Sequence, residues 1–317
     1  MVSRHTHLGL AQLRSLPLDA KVILTQQRIE QWYEHWDGEV YVAFSGGKDS
    51  TVLLHLVREL YPEVPAVFSD TGLEFPEIKA FVRSTPNVTW VKPKLSYRQV
   101  VEKYGYPMPT KRVATQVRKI RKNPNGATAN YHLTGYTRAG KFSKMAILPK
   151  KWRPLLTAPF AVSEQCCNAL KKEPAARYVR ETGRYAMTGE MAGDSRNRLN
   201  TWLAHGCNTY EGKRKVSRPL AFWSTENVWE YIRSRDVPYS SIYDMGYERT
   251  GCVWCMFGCH MEKGENRFQK LKHTHPKLWR YCVEKMGLRE PLEWMGVSPD
   301  PVEEDQLDFF TRPPKPG

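Results

Sequence analysis

The chain has 317 residues, enough for one catalytic domain with insertions or for two small domains. Its net charge of +15 favours a polyanionic partner such as a nucleotide or a nucleic acid, and its 12% aromatic content is typical of a folded protein. No stretch approaches the roughly 18 apolar residues of a membrane helix, and the N-terminus lacks the apolar core of a signal peptide. We therefore expect a cytoplasmic protein with no membrane partner.

The first third of the chain alternates between helical and strand patterns. Residues 18–36 carry apolar side chains at helical spacing, and residues 39–44 read as a buried strand. After a turn, the pattern continues with a helix over 51–60, a strand over 64–68, a helix over 77–83 and a strand over 88–91. This alternation predicts an α/β fold with a doubly wound parallel sheet, in which ligands bind beyond the carboxyl ends of the strands.

The pattern breaks between residues 104 and 155, where proline, glycine and basic residues punctuate the sequence. We interpret this stretch as an insertion or a mobile loop region. The α/β pattern returns with a strand over 185–188 and a helix over 225–235, for which Thr225 is the expected N-cap. The C-terminal tail is expected to be extended.

The turn after the first predicted strand reads S-G-G-K-D-S. Gly46 and Gly47 permit a tight turn and a close approach to phosphates, and the N–H groups that begin the next helix favour an anion. The polar side chains of the turn are Lys48 as a positive charge, Asp49 as a candidate Mg²⁺ ligand, and Ser45 and Ser50 as hydroxyl donors. The spacing differs from the Walker pattern. An ordinary glycine-rich turn is the alternative, but the flanking strand and helix favour a phosphate site.

This turn resembles the PP-loop of ATP pyrophosphatases, which split ATP between its α and β phosphates. A second loop, Asp70-Thr71-Gly72 followed by Phe75-Pro76-Glu77, resembles the D-T-G-x-x-F-P-E motif of the branch that contains phosphoadenosine phosphosulfate (PAPS) reductases. Residues 219–229 resemble the P-L-x-x-W-x-x-x-D-V-W element of the same branch. The resemblance extends from about Val40 to Cys259. It implies catalytic roles for Ser45, Lys48 and Asp49, and an adenine-nucleotide site that also includes Gly46, Gly47, Ser50, Asp70, Thr71 and Gly72.

One motif of that family is altered in this chain. The family usually carries T-G-x-R-x-x-E/D-S, whereas residues 188–195 read T-G-E-M-A-G-D-S. Met191 therefore stands where an anion-binding arginine is expected, and Arg196 or Arg198 is the candidate replacement. The resemblance adds Gly189, Asp194, Ser195 and Arg196 to the expected nucleotide site, and leaves the identity of the bound anion open.

The seven cysteines are expected to be metal ligands or reactive thiols, because disulfides are rare in a reducing compartment. Cys166 and Cys167 are adjacent, and Cys252 and Cys255 form a C-x2-C pair suited to zinc or an iron–sulfur cluster. Buried, inert cysteines are the alternative, and this is how we interpret Cys207 and Cys282.

The combination of C-C with a distant G-C-x-x-C resembles iron–sulfur adenylyl-sulfate reductases and the PP-loop protein of DNA phosphorothioation systems. That resemblance implies one [4Fe–4S] cluster held by Cys166, Cys167, Cys252 and Cys255. Cys259 is a spare candidate that could replace Cys166, and zinc is the alternative metal. We accordingly divide the chain into a PP-loop domain over 1–245, with a basic insertion at about 105–155, and a cysteine-rich, cluster-binding and helical region over 246–317.

A basic segment from Lys111 to Arg153 contains interleaved aromatic residues, and residues 213–215 form a second basic run. Cations for phosphates together with rings for stacking are typical of nucleic-acid surfaces, here for DNA or tRNA. A solvated charged face is the alternative.

Three functions are consistent with these features of the sequence. The first, which we favour, is ATP-consuming sulfur transfer to a nucleic acid, with a sulfur-donor protein as a possible partner. The second is reduction of adenylyl sulfate or its 3′-phosphate. Those reductases usually depart from S-G-G-x-D-S and carry a C-terminal nucleophilic cysteine, whereas no cysteine follows Cys282 here. The third is a non-catalytic nucleotide- or nucleic-acid-binding module with structural zinc.

Overall fold

The computed structural model describes residues 5–212 and 214–301. The chain divides into two compact units: residues 1–94 with 170–253, and residues 95–169 with 254–317. The basic insertion and the C-terminal segment therefore belong to one unit, and the expected boundary at 245/246 falls inside the other. Within the described ranges, no helix is long and apolar enough to cross a membrane. The expected extended tail and Lys213 of the second basic run lie outside the described residues.

The described residues form helices and strands with the following bounds. The helices are α1 (His7–Ser15), α2 (Leu18–His35), α3 (Lys48–Leu60), α4 (Pro76–Ser84), α5 (Tyr97–Tyr104), α6 (Lys111–Lys122), α7 (Ala127–Thr134), α8 (Glu173–Thr182), α9 (Arg196–His205), α10 (Thr225–Ser234), α11 (Arg267–Thr274), α12 (Pro276–Arg280) and α13 (Arg289–Trp294). The strands are β1 (Val40–Ala43), β2 (Ala66–Ser69), β3 (Val88–Val91), β4 (Tyr185–Thr188), β5 (Asn208–Thr209) and β6 (Val216–Ser217). Short 3-10 and π turns connect several of them.

The strands of the first unit form one sheet in the order β3-β2-β1-β4-β6-β5. All neighbouring pairs are parallel except β5, which pairs antiparallel with β6 at the edge. The predicted α/β fold with a mainly parallel sheet is confirmed. Because the chain moves outward from β1 to β3 and then returns to the other side of β1, the strand order reverses between β1 and β4. That reversal is where open α/β sheets bind ligands.

Helix α3 follows β1 and packs on α2 and α10 with a largely buried face. A buried hydrogen bond links α2 to the segment before α10, because the Trp223 indole N–H donates to Thr25 Oγ1 at 2.9 Å. The N-cap of α10 is Ser224 rather than the expected Thr225. The Ser224 hydroxyl accepts from the Asn227 backbone N–H at 3.3 Å, and Asn227 reaches back to the Ser224 N–H at 3.2 Å. This reciprocal capping box uses Asn at the third helical position, where the usual pattern has Glu or Gln.

The interpretation of residues 104–155 as a loop is wrong, because α6 and α7 occupy much of this stretch. Helix α6 buries Val113, Val117 and Ile120 along one stripe and exposes basic residues on the other. Its N-cap Thr110 accepts from the Val113 N–H at 3.2 Å. The basic side chains and the flanking prolines obscured an amphipathic helical pattern that was present in the sequence.

Gly105 allows α5 to end against the backbone of Ala161. Its φ is +99°, and a Cβ at this position would lie 2.3 Å from the Ala161 carbonyl carbon and oxygen. The next residue, Tyr106, donates its N–H to that same carbonyl at 2.8 Å. The second unit therefore requires glycine here for two reasons, a conformation that other residues avoid and the close backbone approach.

We predict that Gly105→Ala lowers the free energy of unfolding of the second unit by about 3 kcal/mol or more, because backbone strain and steric overlap add together. Gly264→Ala is the matched control: its φ is +71°, but nothing lies within 4 Å of the added Cβ. The control should lose only about 1–2 kcal/mol. Urea unfolding followed by tryptophan fluorescence would compare the two variants, and equal losses would contradict the overlap with Ala161.

Candidate functional site

The loop after β1 begins with a close approach of its backbone to α4. Gly46 has a φ of +69°, and a Cβ there would lie 2.8 Å from Val82 Cγ2. The loop then closes on the first turn of α3: the Ser45 N–H donates to Ser50 Oγ at 3.1 Å, and Ser50 Oγ donates to the Gly47 carbonyl at 2.9 Å. The sequence-predicted glycines and serines therefore lie together in one compact turn.

Helix α3 begins at Lys48, three residues earlier than predicted, so Lys48 and Asp49 lie in its first turn. The Lys48 ammonium is buried and lies 2.9 Å from Asp49 Oδ1, whereas the Asp49 side chain remains partly exposed. A positive charge at a helix N-terminus adds to the field of the helix dipole, and Asp49 partly offsets it. The pair presents a cation and a carboxylate side by side, the groups that a phosphate and its metal ion would each require.

Tyr243 and Thr250 complete this loop, and the sequence analysis missed both. The Lys48 backbone N–H donates to Tyr243 Oη at 2.7 Å, and Thr250 Oγ1 lies 3.4 Å from the same oxygen. Burial raises the pKa of Tyr243, so its hydroxyl stays protonated and can both accept from Lys48 and donate onward. The phenol oxygen therefore occupies an amide in the first turn of α3 as its hydrogen-bond acceptor.

The second loop, after β2, is held by its own side chains. Asp70 accepts from Lys79 at 2.9 Å and from the Gly72 N–H at 3.2 Å. The Thr71 hydroxyl donates to Glu74 at 2.6 Å. The second-loop residues Asp70, Thr71 and Gly72 thus form one turn, and Lys79 on α4 is the ionic partner of Asp70.

The third loop, after β4, lies against the first. A Cβ on Gly189 would lie 2.8 Å from the Asp49 carbonyl oxygen, so the structure brings these two predicted site residues together. Met191 is buried, and its uncharged side chain does not replace the positive charge of the expected arginine. A buried cation missed by the sequence analysis, Arg218, lies 3.1 Å from Glu190 in this loop.

The two candidate replacements for that arginine differ. Arg198 forms an ion pair with Asp194, one turn earlier in the chain. Arg196 is exposed at the start of α9, where Ser195 is the N-cap and accepts from the Arg198 N–H at 3.3 Å. Asp194 and Ser195 therefore organise the start of α9, while the contribution of Arg196 to a nucleotide site stays a prediction.

None of the seven cysteines, all within the described ranges, forms a disulfide. The second unit places Cys166 and Cys255 near the buried side chain of Tyr97, and Cys252 belongs to the first unit. The Cys259 thiol donates to the Met256 carbonyl at 3.1 Å, and burial raises its pKa to about 12. Across the part of the chain that the structure describes, no group of three or more His, Cys, Asp or Glu is arranged to hold a metal ion. The four-cysteine ligand set stays a prediction.

Two buried donors in the second unit bear on whether a cluster suits these cysteines. Among the described residues, the Tyr97 hydroxyl and the Trp254 indole N–H have no hydrogen-bond partner, and their rings lie 5.1 Å apart. Trp254 directly precedes Cys255. Buried donors normally find an acceptor, and thiolate or inorganic sulfur of a cluster is an acceptor of suitable chemistry. The donor set around Cys255 is therefore compatible with a sulfur-rich group.

Three glycine-bearing loops thus meet the carboxyl edge of a parallel sheet beside the reversal of strand order, which defines an α/β protein with its candidate ligand site at a topological switch point. The family model described as the phosphoadenosine phosphosulfate reductase domain matches residues 39–145 and 117–257. The chain belongs to this family. The matched range agrees with the resemblance found in the sequence.

The chain is also similar to individual curated proteins. It is 30% identical over 83% of its length to an uncharacterized protein of Methanocaldococcus jannaschii, of which it covers 46%. It is 25% identical over 72% of its length to an adenosine 5′-phosphosulfate reductase of Staphylococcus epidermidis, of which it covers 74%. The chain spans about half the length of the first two curated relatives it matches. The relative from Staphylococcus epidermidis is named as an enzyme, whereas the relative from Methanocaldococcus jannaschii carries no named activity.

A solved structure also overlaps the fold. The crystal structure of PAPS reductase from Candida auris, a phosphate complex, covers 78% of this chain and is itself covered to 96%. The two chains share 18% sequence identity with a TM-score of 0.43.

We predict that Tyr243→Phe tightens the binding of inorganic pyrophosphate by roughly two- to tenfold, because the ligand no longer has to replace the hydrogen bond from the Lys48 N–H. Isothermal titration calorimetry would measure the affinity. Tyr239→Phe is the matched control, because its hydroxyl donates to Asp244 at 2.9 Å rather than to the loop. Unchanged or weaker pyrophosphate binding by Tyr243→Phe would show that the phenol does not compete for the anion position.

Proposed function

We propose that this chain binds ATP at the loop Ser45–Ser50 and cleaves it between the α and β phosphates, which activates an acceptor by adenylation and releases pyrophosphate. The observation that carries the proposal is the complete S-G-G-K-D-S loop at the switch point, with Lys48 and Asp49 side by side in the first turn of α3. A loop that only positioned a nucleotide would not require a carboxylate next to the cation.

In this proposal the residues of the loop have separate tasks. The Lys48 ammonium and the N–H groups at the start of α3 stabilise negative charge that develops on the β phosphate as pyrophosphate leaves. Asp49 holds Mg²⁺ together with phosphate oxygens, and its partly exposed side chain supports this role. Ser45 and Ser50 donate hydroxyl hydrogen bonds. Asp70, Thr71 and Gly72 in the second loop, with Gly189, Asp194, Ser195 and Arg196 in the third, complete the proposed adenine-nucleotide site.

The acceptor that we propose is an oxygen of a nucleic acid, DNA or tRNA. Once this oxygen is adenylated, sulfur brought by a donor protein would bond to the atom that carries it, and AMP would leave together with that oxygen. The excess of basic residues in the second unit supports a polyanionic acceptor. A [4Fe–4S] cluster held by Cys166, Cys167, Cys252 and Cys255 would supply sulfur or electron chemistry, with zinc as the alternative metal. The unpartnered donors of Tyr97 and Trp254 support a sulfur-rich group near Cys255.

Reduction of adenylyl sulfate is the second candidate, because reductases of that name are among the relatives. A nucleophilic cysteine near the C-terminus is needed for this chemistry, and Cys282, the last cysteine of the sequence, would have to serve. The Cys282 thiol is fully buried, and burial raises its pKa, so it is held as an unreactive thiol. The complete first loop and the buried Cys282 favour ATP cleavage over this alternative.

The decisive experiment uses anaerobically purified protein. Its visible spectrum and iron content are recorded, and it is then incubated with ATP and Mg²⁺ and assayed for AMP and pyrophosphate. Broad absorbance near 400 nm, about four irons per chain, and AMP with pyrophosphate as products are the expected result. A colourless zinc protein that leaves ATP intact would overturn the proposal and favour a non-catalytic binding module.

We predict that Asp49→Ala lowers the rate of pyrophosphate release by about 10²-fold or more while the visible spectrum of the cluster is unchanged, because only the metal ligand is lost. Asp19→Ala is the matched control, since Asp19 is also an acidic residue in the first turn of a helix, and it should retain full activity. Loss of both colour and activity in Asp49→Ala would mean that the substitution unfolds the protein. Full activity would exclude the assigned role.

A further inference from the structure

The positive charge of the chain is concentrated in one stretch of the second unit. From residue 103 to residue 163 the sequence contains thirteen Lys and Arg and no Asp or Glu, against a net charge of +15 for the whole chain. A stretch without any acidic residue cannot neutralise its own cations. Its field therefore attracts a polyanion more strongly than scattered surface lysines would.

Two of these cations serve the structure of the unit itself. The Arg118 guanidinium forms two hydrogen bonds with Glu164, one of them 3.0 Å long, and Arg121 donates to the Phe160 carbonyl at 2.6 Å. Most of the remaining cations have exposed side chains on α6 and on the segment after α7: Lys111, Arg112, Lys119, Lys122, Arg138, Lys141, Lys144, Lys150, Lys151 and Arg153.

A small hairpin rises from this basic segment at residues 135–143. Tyr136 and Phe142 pair across it as an antiparallel bridge, and the Thr137 N–H donates to the Lys141 carbonyl at 3.0 Å. The Ser143 N–H donates to the Gly135 carbonyl at 2.9 Å, which closes the base of the hairpin. These hydrogen bonds hold the backbone of the hairpin, so Tyr136 and Phe142 project from defined positions on opposite strands.

The hairpin exposes two aromatic rings to solvent. Tyr136 and Phe142 are each 51% exposed, with ring centroids 5.0 Å apart. Rings of this size are usually buried, and exposed apolar side chains grouped on a surface mark an interaction site. Arg138 and Lys141 lie between the two rings in sequence, and Lys144 follows them. The hairpin therefore combines two paired aromatic rings with basic side chains, and the surrounding stretch contains no acidic residue.

We propose that this hairpin is a stacking platform for single-stranded nucleic acid, with Tyr136 and Phe142 stacking on bases and with Arg138, Lys141 and Lys144 contacting phosphates. Bases inside a duplex are paired and stacked, so they cannot reach protein rings, whereas unpaired bases can. The inference deepens the proposed function and rests on its nucleic-acid acceptor. It narrows that acceptor to a strand or region that is unpaired where the protein binds it.

The test measures the affinity of the full chain, without ATP, for a fluorescently labelled oligothymidylate of about 20 nucleotides by fluorescence anisotropy. Tyr136→Ala is expected to weaken binding by roughly five- to hundredfold, because it removes one base-stacking ring. Tyr136→Phe keeps the ring and should retain the wild-type affinity. Met145→Ala removes an exposed non-aromatic side chain nearby and should also bind normally.

The cations are tested through the salt dependence of the same affinity. Lys141→Gln should reduce the slope of log affinity against log salt by about 0.7, the value of one phosphate contact on a single strand. Lys277→Gln, an exposed lysine of the second unit outside the basic stretch, should leave the slope unchanged. Circular dichroism melting of each variant confirms that the unit remains folded.

Binding of a blunt duplex of the same length as tightly as the single strand, or full affinity in Tyr136→Ala, would overturn the proposal. So would a wild-type chain that does not bind the oligonucleotide. These outcomes are separate from those of the ATP assay. A chain that binds the strand through Tyr136 but leaves ATP intact would refute the proposed catalysis and leave the stacking surface supported.

Discussion

Two close backbone approaches, at Gly46 and Gly189, position the entire candidate site. Gly46 places the first loop against α4, and Gly189 places the third loop against the backbone of Asp49. A side chain at either position would push the loop after β1 away from one of its two neighbours. The direction in which α3 starts, and hence the positions of Lys48 and Asp49, depends on both contacts. The site is therefore fixed by the absence of two Cβ atoms as much as by any polar group.

Three pairs of oppositely charged side chains lie at the carboxyl edge of the sheet. Lys48 pairs with Asp49, Lys79 with Asp70, and Arg218 with Glu190. A phosphate alone would compete with an acidic partner for its cation, and a metal ion alone would compete with a cation for its carboxylate. A metal–nucleotide complex supplies both charges at once, so the pairs can exchange partners without leaving a charge uncompensated.

Local patterns were sufficient to predict the strands β1 to β4, the first loop and the family, but not the two-residue strands β5 and β6. Each of these depends on residues adjacent in sequence, such as the apolar run 39–44 and the glycines after it. Contacts between distant segments could not be predicted in the same way. Tyr243 reaches the Lys48 N–H from 195 residues away, and neither residue type at that separation signals the contact. The grouping of residues 95–169 with residues 254–317 was missed for the same reason, because it depends on contacts between segments that are distant in sequence.

The helices of the basic insertion were missed for a different reason. The apolar positions of α6 follow a helical period, but the prolines and glycines on either side suggested a loop. The N-cap of α10 was predicted as Thr225 and is Ser224, an error of one residue. Both side chains can cap a helix, and only the backbone geometry decides between them. For Met191, the structure shows a buried side chain where the family carries arginine, and it shows Arg198 already engaged by Asp194.

The hydrogen bond between the Lys48 amide and the Tyr243 hydroxyl has a consequence for ligand choice. The Lys48 amide at the start of α3 already donates to a neutral oxygen of this same chain, the Tyr243 hydroxyl. A weakly basic or singly charged anion gains little by replacing it, whereas a highly charged polyphosphate gains far more than the neutral phenol provided. At the ATP site that we propose for this loop, the hydrogen bond therefore sets a threshold that small, weakly charged anions do not overcome and that a densely charged ligand does.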